Sequence, residues 1–418
     1  MSESTTNNQN CVVIGASHAG VNFVFALRRE GWEGTITIID IDPTLPYHRP
    51  PLSKAYLTSS DSIEKNLLKS EESYVKGNIN LKLGVWVDAI DRENKKVVLA
   101  DGTSLRYDKL VIATGARPIM PPIPGLDTAN NLYSLRSAAD VSNIRNTVTA
   151  NEGLKVVVIG GGYIGLETAA SLKKLGAEVT VLERESRILA RVTAPEMSEF
   201  FQKFHADNGV AVLTEKNVVS IEYNGESNTV ICSDETQYEA DMIIVGVGIH
   251  VNKELAERAG LTIESGILVN EKSQTSDENI YAIGDCTFHH NPHYNRHIRL
   301  ESVQNAVDQA KIAAAAIIGK DCAYDALPWF WSDQYDVKLQ MVGLSQGYDE
   351  VLVRKEADKE NCFSVWYFKG DTLLAVDAVN NAKAYVYGTK FIKGGEKLDK
   401  SKLSDPMAEF KPANLISQ

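Results

Sequence analysis

Residues 155–183 read KVVVIGGGYIGLETAASLKKLGAEVTVLE, and they decide the fold. A β-branched apolar run ends at a glycine turn, a stretch of helical period follows, and a second apolar run closes on an acid. Strand, glycine turn, helix and strand form the unit that opens a dinucleotide-binding domain. Gly160 permits the tight turn, Gly162 lets the backbone approach a pyrophosphate, and Gly165 allows the helix to pack closely on the strand. Tyr163 and Ile164 start the helix, whose first N–H groups point at the phosphates. Glu183 stands about 20 residues past the turn, where a carboxylate accepts from a ribose 2′-OH. Its charge repels a 2′-phosphate, which favours NADH over NADPH, although Arg184 and Arg187 stand near enough to soften that repulsion.

The pattern occurs a second time. Residues 11–40 read CVVIGASHAGVNFVFALRREGWEGTITIID, with Gly15 and Gly20 in the outer turn positions and Ser17 where the middle glycine is expected. Serine is the smallest departure available, and its hydroxyl can itself reach a phosphate. The strand ends at Asp40, with Ile41 and Asp42 after it; Asp40 is the expected ribose acceptor and Asp42 the alternate. Two such units about one domain apart imply two dinucleotides. The bland reading, a glycine turn without a ligand, requires neither the spacing nor the terminal acid.

The remaining segments fit around these units. LPYHRPPLSKAYL carries tandem Pro50 and Pro51, which stiffen a loop bearing Arg49 and Lys54; cations held so suit a pyrophosphate or an electron-rich ring, or are ordinary solvated side chains. Asp285 in YAIGDC ends a strand at the edge where open α/β sheets bind ligands. A long helical pattern from Ser302 follows RLES and offers its positive end to developing negative charge. HHNPHYNRH gathers His289, His290, His293 and His297, but without a helical pair backed by a carboxylate it reads as a polar surface loop and not as a metal site. Beyond about Pro328 the alternating, aromatic-rich segments read as an antiparallel sheet, and the Lys-rich stretch from about Gly394 as loosely held.

Composition bounds the function. With 418 residues, two or three domains are expected. A hydrophobic share of 44% and a charged share of 23% are those of a globular protein. A formal charge of −12 argues against nucleic acid. The polar start and the want of a membrane-length apolar run point to the cytoplasm and away from a membrane. Five scattered cysteines read as reduced structural thiols, and the segment from Ile41 to Lys76 contains none.

GWEG, PYHRPPLSKAYL, LVIATGARP, VVIGGGYIGLE, TAPEMS, QTSDENIYAIGDC, RLESVQNAVDQA and PWFWSDQYDVKLQMVGLS together resemble the putidaredoxin reductase family of FAD-dependent ferredoxin reductases, over about residues 11–380. The resemblance implies an α/β fold like that of glutathione reductase, with two Rossmann-like dinucleotide-binding domains and a C-terminal α+β sheet domain. The expected boundaries are 1–115 with 245–322 for a split FAD domain, 116–244 for an NAD domain, and 323–418 for the interface domain. The resemblance implies FAD contacts at Gly15, Ser17, Ala19, Gly20, Ile41, Arg49, Lys54, Val87, Thr114, Gly115, Arg136, Asp285, Val303 and Trp331; the family usually bears the ribose acid at the Ile41 position, and here the expected acid is Asp40. It implies NAD contacts at Gly160, Gly162, Tyr163, Ile164, Gly165, Glu183 and Gly248. Lys54, Tyr163, Glu167 and Glu301 are the implied catalytic residues, with Lys54 and Glu167 close enough to pair.

The implied activity takes hydride from NADH onto FAD and passes single electrons to a 2Fe–2S ferredoxin. That ferredoxin would serve a haem-thiolate monooxygenase or a ring-hydroxylating dioxygenase. Disulfide reductases of this fold need a cysteine pair beside the flavin, and relatives that act as peroxidases or oxidases use a single cysteine after the first unit, so the cysteine-free segment favours an external acceptor. A rubredoxin reductase and a flavin redox-sensing interaction protein are the rival readings. Lys383, Lys390, Lys393 and Lys397 form a basic stretch suited to an acidic ferredoxin or to plain solvation.

Overall fold

The computed structural model describes residues 8–150, 153–356 and 359–417. The first glycine-turn unit runs β1 (Asn10–Ile14), α1 (His18–Arg29) and β2 (Thr35–Asp40). The second runs β3 (Lys155–Ile159), α2 (Tyr163–Lys174) and β4 (Glu178–Leu182). Later elements used below are α3 (Pro195–Asp207), α4 (Val303–Ile317), β5 (Trp329–Gln334) and α5 (Ala382–Gly394).

The chain divides into two compact units. One comprises Met1–Arg49, Ser62–Arg117 and His250–Pro328; the other comprises Pro50–Asp61, Pro118–Ile249 and Trp329–Gln418. The short piece Pro50–Asp61 groups with the second unit for local reasons. The Arg145 guanidinium donates to the carbonyls of Tyr56 and Asp61, and Ser171 Oγ donates to the Ser53 carbonyl at 2.7 Å.

In the first unit a parallel sheet runs in the order Ile280–Ala282, Lys109–Ile112, β1, β2, Ile79–Leu83. In the second it runs Leu132–Tyr133, Met242–Val245, β3, β4, Ala211–Leu213. Each unit inserts a three-stranded antiparallel meander, Val87–Arg106 or Val218–Ala240, just before the strand that returns to pair with its central strand, Lys109–Ile112 or Met242–Val245. Even the pins match: Asp108 accepts from the Asn10 amide at 2.7 Å and Asp241 from the Lys155 amide at 2.9 Å, each carboxylate fixing the start of the central strand. Central strands buried on both faces must be apolar throughout, which is why VVI and VVVI recur.

Helix α4 packs on α1 in the first unit. Ala306, Ala310, Ala313 and Ala314 present a small-residue face to Phe23, Val24 and Leu27, so the two helices come close. Ser302 is its N-cap, accepting from the Asn305 amide at 3.1 Å. In the second unit the antiparallel sheet has the order β5, Val337–Gly343, Thr372–Val379, Phe363–Lys369, Glu350–Lys355, with α5 after the last strand in sequence.

Two sequence expectations change. The histidine-rich segment is not a surface loop but a hairpin, Thr287–Asn291 with Arg296–Ile298, and its alternation turns His289 inward to 2% exposure. Burial lowers His289 to about 4, with His297 and His290 adding to the effect. The stretch after Gly394 is also held. The buried Arg354 donates to the carbonyls of Lys402, Leu403, Asp405 and Ala408, and its guanidinium lies 4.6 Å from the Phe410 ring. Sequence alone hides both, since each depends on a partner strand or a distant cation.

Candidate functional site: two nucleotide cradles and an ion pair on a buried carboxylate

Both glycine turns are built alike. Gly15 and Gly160 have φ of 109° and 113°, which favours glycine. A Cβ on Gly15 would lie 2.2 Å from the Ala113 carbonyl oxygen, and one on Gly160 would lie 2.4 Å from that of Gly246. The third positions are tighter. A Cβ on Gly20 would sit 1.9 Å from the Gly15 oxygen, and on Gly165 it would sit 2.1 Å from the Gly160 oxygen.

The middle position differs. A Cβ on Gly162 meets nothing within 4 Å, and neither Gly162 nor Ser17 has a positive φ. The middle position therefore has room for a side chain or a ligand, which is consistent with a serine at the matching place in the first turn. The Ser17 hydroxyl makes no capping bond to its own helix. The cradles therefore fit dinucleotides on their own geometry.

The terminal acids are also equivalent. Asp40 accepts from the Ala16 amide at 2.5 Å and from the Asp42 amide at 2.8 Å. Glu183 accepts from the Gly161 amide at 2.7 Å and from the Glu185 amide at 2.9 Å. Each carboxylate thus ties the turn to the end of the second strand. Asp42 is engaged elsewhere, receiving the Tyr47 hydroxyl at 2.7 Å with Arg49 3.8 Å away. Ile41 is 59% exposed. Arg49 donates to the Tyr47 hydroxyl at 2.7 Å. Near Glu183, Arg184 pairs with Glu185, while Arg187 donates to Ser198 and to the Ala190 carbonyl.

Other first-unit candidates line the same sheet edge or its neighbours. Ala19 lies on α1, 3.1 Å from where a Cβ on Gly284 would be, and Asp285 follows in the turn Gly284–Cys286. Thr114 and Gly115 are pinned by Asn252: the Thr114 hydroxyl donates to the Asn252 carbonyl at 2.7 Å, and the Asn252 amide returns a bond at 2.8 Å. Val87 is buried at the start of the first meander. Val303 opens α4, and Glu301 before it pairs with Arg299 at 2.9 Å.

In the second unit Lys54 Nζ lies 2.8 Å from Glu167 Oε2. Glu167 is 1% exposed and also receives the hydroxyls of Ser53 and Ser332, each at 2.6 Å. Three donors converge on this carboxylate, as an acceptor-only group requires when buried. Four residues earlier on the same helical face, the Tyr163 hydroxyl donates to Met341 Sδ at 2.9 Å. Burial pushes the Tyr163 phenol well up, with the charges of Asp377 and Glu167 acting in the same direction. Asp377 is pushed up to about 7 by burial, against the Tyr367 hydroxyl that donates to it at 2.5 Å.

Ile164 is 47% exposed on α2, and Gly248 has φ 122° with its carbonyl accepting from the Ile119 amide. The Arg136 amide donates to Asp140 at 3.0 Å. Trp331 lies 5.5 Å from Trp329, which meets Tyr385 of α5 at 6.1 Å.

Ser53, Ser332, Gln334, His205, Tyr367 and Asp377 were not singled out from sequence. The one signal available was the alternation in WFWSDQY, which turns Ser332 and Gln334 to one face. Among the described residues, no group of three or more His, Cys, Asp or Glu could hold a metal ion. Cys11, Cys232, Cys286, Cys322 and Cys362 are free. Among the described residues no helix is long and apolar enough to cross a membrane.

Comparison with known proteins gives the following. Residues 9–310 match the pyridine nucleotide-disulphide oxidoreductase family, and residues 329–414 match the reductase C-terminal family. The chain is similar to putidaredoxin reductase of Pseudomonas putida, at 42% identity over 97% of this chain and 96% of that protein. It is similar to rhodocoxin reductase of Rhodococcus erythropolis, at 40% identity over 91% and 88%. Among solved structures, the covalent putidaredoxin reductase–putidaredoxin complex matches with a TM-score of 0.91 at 42% identity, covering 95% of this chain and 96% of that one.

Proposed function

The chain belongs to the pyridine nucleotide-disulphide oxidoreductase family and carries that family's cradle twice, followed by a reductase C-terminal domain, and from that premise we propose how its residues divide the work of an NADH-dependent ferredoxin reductase. The protein is a flavoprotein oxidoreductase that uses FAD and NADH and reduces a 2Fe–2S ferredoxin of a monooxygenase or dioxygenase system. Bound FAD supplies the conversion of a two-electron hydride into electrons released one at a time.

To FAD we assign the turn Gly15, Ser17, Ala19 and Gly20, with Asp40 for the ribose; Ile41 marks the adjoining edge. Arg49, Lys54, Val87, Thr114, Gly115, Arg136, Asp285, Val303 and Trp331 complete that set. To NADH we assign Gly160, Gly162, Tyr163, Ile164, Gly165, Glu183 and Gly248. Residues 1–115 with 245–322 form the FAD domain, 116–244 the NADH domain and 323–418 the interface domain. Arg184 and Arg187 support the NADH preference, because each is already committed to other partners.

Hydride transfer needs stacking and near-contact geometry more than an acid or base. In this reading Lys54 offers positive charge to the reduced ring, and Glu167, 2.8 Å away, holds it in place. Tyr163 orders the nicotinamide face, and Glu301 flanks the α4 end. Trp329, Trp331 and Tyr385, with exposed Lys383, Lys390, Lys393 and Lys397, form the ferredoxin-facing surface. Reduced, scattered cysteines support a cytoplasmic location.

The observation that carries this reading is the pair of Lys54 with the buried Glu167, in a chain whose segment from Ile41 to Lys76 has no cysteine to accept electrons. The test is reduction of a 2Fe–2S ferredoxin by the purified yellow protein, with NADH compared against NADPH. Turnover with NADH and at most slow turnover with NADPH is expected. A stable reduced flavin that passes nothing to ferredoxin would instead indicate a sensor.

A further inference from the structure

Strand β5 explains its own composition. Alternation sends Trp329 and Trp331 to one face and Phe330, Ser332 and Gln334 to the other. The second face meets α2: the Phe330 ring lies 5.3 Å from Tyr163, and Ser332 Oγ lies 2.6 Å from Glu167 Oε1. Two residues of strand advance about 6.6 Å and four of helix about 6 Å, so both pairs form together.

The polar contacts continue past Ser332. Gln334 Nε2 donates to Ser332 Oγ at 3.2 Å, Gln334 Oε1 lies 2.8 Å from His205 Nε2, and the Tyr335 hydroxyl lies 3.2 Å from His205 Nδ1. Glu167, Ser332 and Gln334 are each 1% exposed and His205 is fully buried.

The carboxylate dictates the polarity of this chain. Glu167 already receives Lys54 and Ser53, so Ser332 gives its single hydrogen to Oε1. Ser332 Oγ then accepts from the Gln334 amide group, which leaves the Gln334 carbonyl facing His205. His205 must therefore carry its hydrogen on Nε2 and accept at Nδ1 from Tyr335.

We propose that Tyr335, His205, Gln334 and Ser332 are a directional positioning relay, four donors in series that hold Glu167 against Lys54 for the flavin reaction. The proposal rests on the reductase reading above. Burial lowers the His205 imidazole while its bond to Gln334 acts in the other direction, and the neutral ring is the form the relay needs. The titratable groups facing Glu167 are Lys54 from the loop and Tyr163 from its own helix. His205 faces Tyr335, while Lys203 and Asp207 of its own helix pair with each other at the surface.

The test uses the holoprotein with Ser332→Ala, Ser332→Thr, His205→Leu and His205→Gln. Anaerobic flavin reduction by NADH is followed against pH. Ser332→Ala is expected to move the acid limb of the profile up by about one pH unit, the scale of a lost charge-assisted hydrogen bond. Ser332→Thr, which keeps the hydroxyl, restores the limb. His205→Leu shifts it in the same direction by less, and His205→Gln, which keeps a donor near Nε2, restores it.

Ring-nitrogen NMR of the wild-type protein gives a reading independent of turnover: His205 neutral and hydrogenated at Nε2 throughout. An Nδ1-hydrogenated or protonated ring at neutral pH overturns the relay, as does a Ser332→Ala limb that coincides with wild type. Were wild type not reduced by NADH at all, the reductase reading would fall, and the NMR tautomer would still decide the relay.

Discussion

The two glycine cradles share the order of four parallel strands, a terminal carboxylate and a strand-start pin, yet of their three glycine positions the middle one differs, Ser17 against Gly162. The outer positions are fixed by the chain itself, because a side chain there would strike a carbonyl. The middle position is limited only by what is bound. The comparison separates glycine required by the fold from glycine required by a ligand.

The outer positions give the largest expected effects. Gly20→Ala puts a Cβ within 1.9 Å of a backbone oxygen and is expected to abolish flavin retention, read as loss of yellow colour. Gly165→Ala makes the matching clash at 2.1 Å in the other cradle. It is expected to abolish NADH binding while flavin stays bound, read by titration of the yellow protein. Loss of flavin from Gly165→Ala would show that the cradles are not independent.

Next come the acids. Each ties its turn with a charged hydrogen bond, of order 1.5–3 kcal/mol. Glu183→Gln should raise KM for NADH by about tenfold or more and narrow its lead over NADPH. Asp40→Asn should weaken FAD by a similar factor and leave KM for NADH unchanged, measured by flavin release and steady-state kinetics. Equal effects of either change on both nucleotides would break the assignment.

Charge reversal at Lys390 and Lys393 should touch neither cradle. It is expected to slow ferredoxin reduction several-fold at low salt, with the difference fading as salt rises and flavin reduction by NADH unchanged. Smallest is Ser17→Gly, expected to change flavin affinity by no more than about threefold, since the hydroxyl fills space open to the ligand. A large loss would mean that the Ser17 hydroxyl itself carries phosphate binding.

What could be read from sequence follows the range of the interactions. Glycines at fixed offsets, a strand-ending acid and helical period are local, so both cradles are legible in the sequence. The different surroundings of Asp40 and Asp42 are tertiary facts: Asp42 receives the Tyr47 hydroxyl, while Asp40 meets the Ala16 amide. The grouping of Pro50–Asp61 with the second unit rests on Arg145, about 85 residues away in the chain. The relay behind Glu167 joins residues separated by 165 and 129 positions. Alternation in β5 sets Ser332 and Gln334 on one face, but which element that face meets is a tertiary fact.

The most direct measurement is anaerobic titration of the purified holoprotein with NADH in the presence of oxidised 2Fe–2S ferredoxin, followed at the flavin and iron–sulfur bands. The account predicts bleaching of the flavin by NADH and two ferredoxins reduced for each NADH consumed. A flavin that NADH leaves oxidised, or one that is reduced while the ferredoxin stays oxidised, would contradict it.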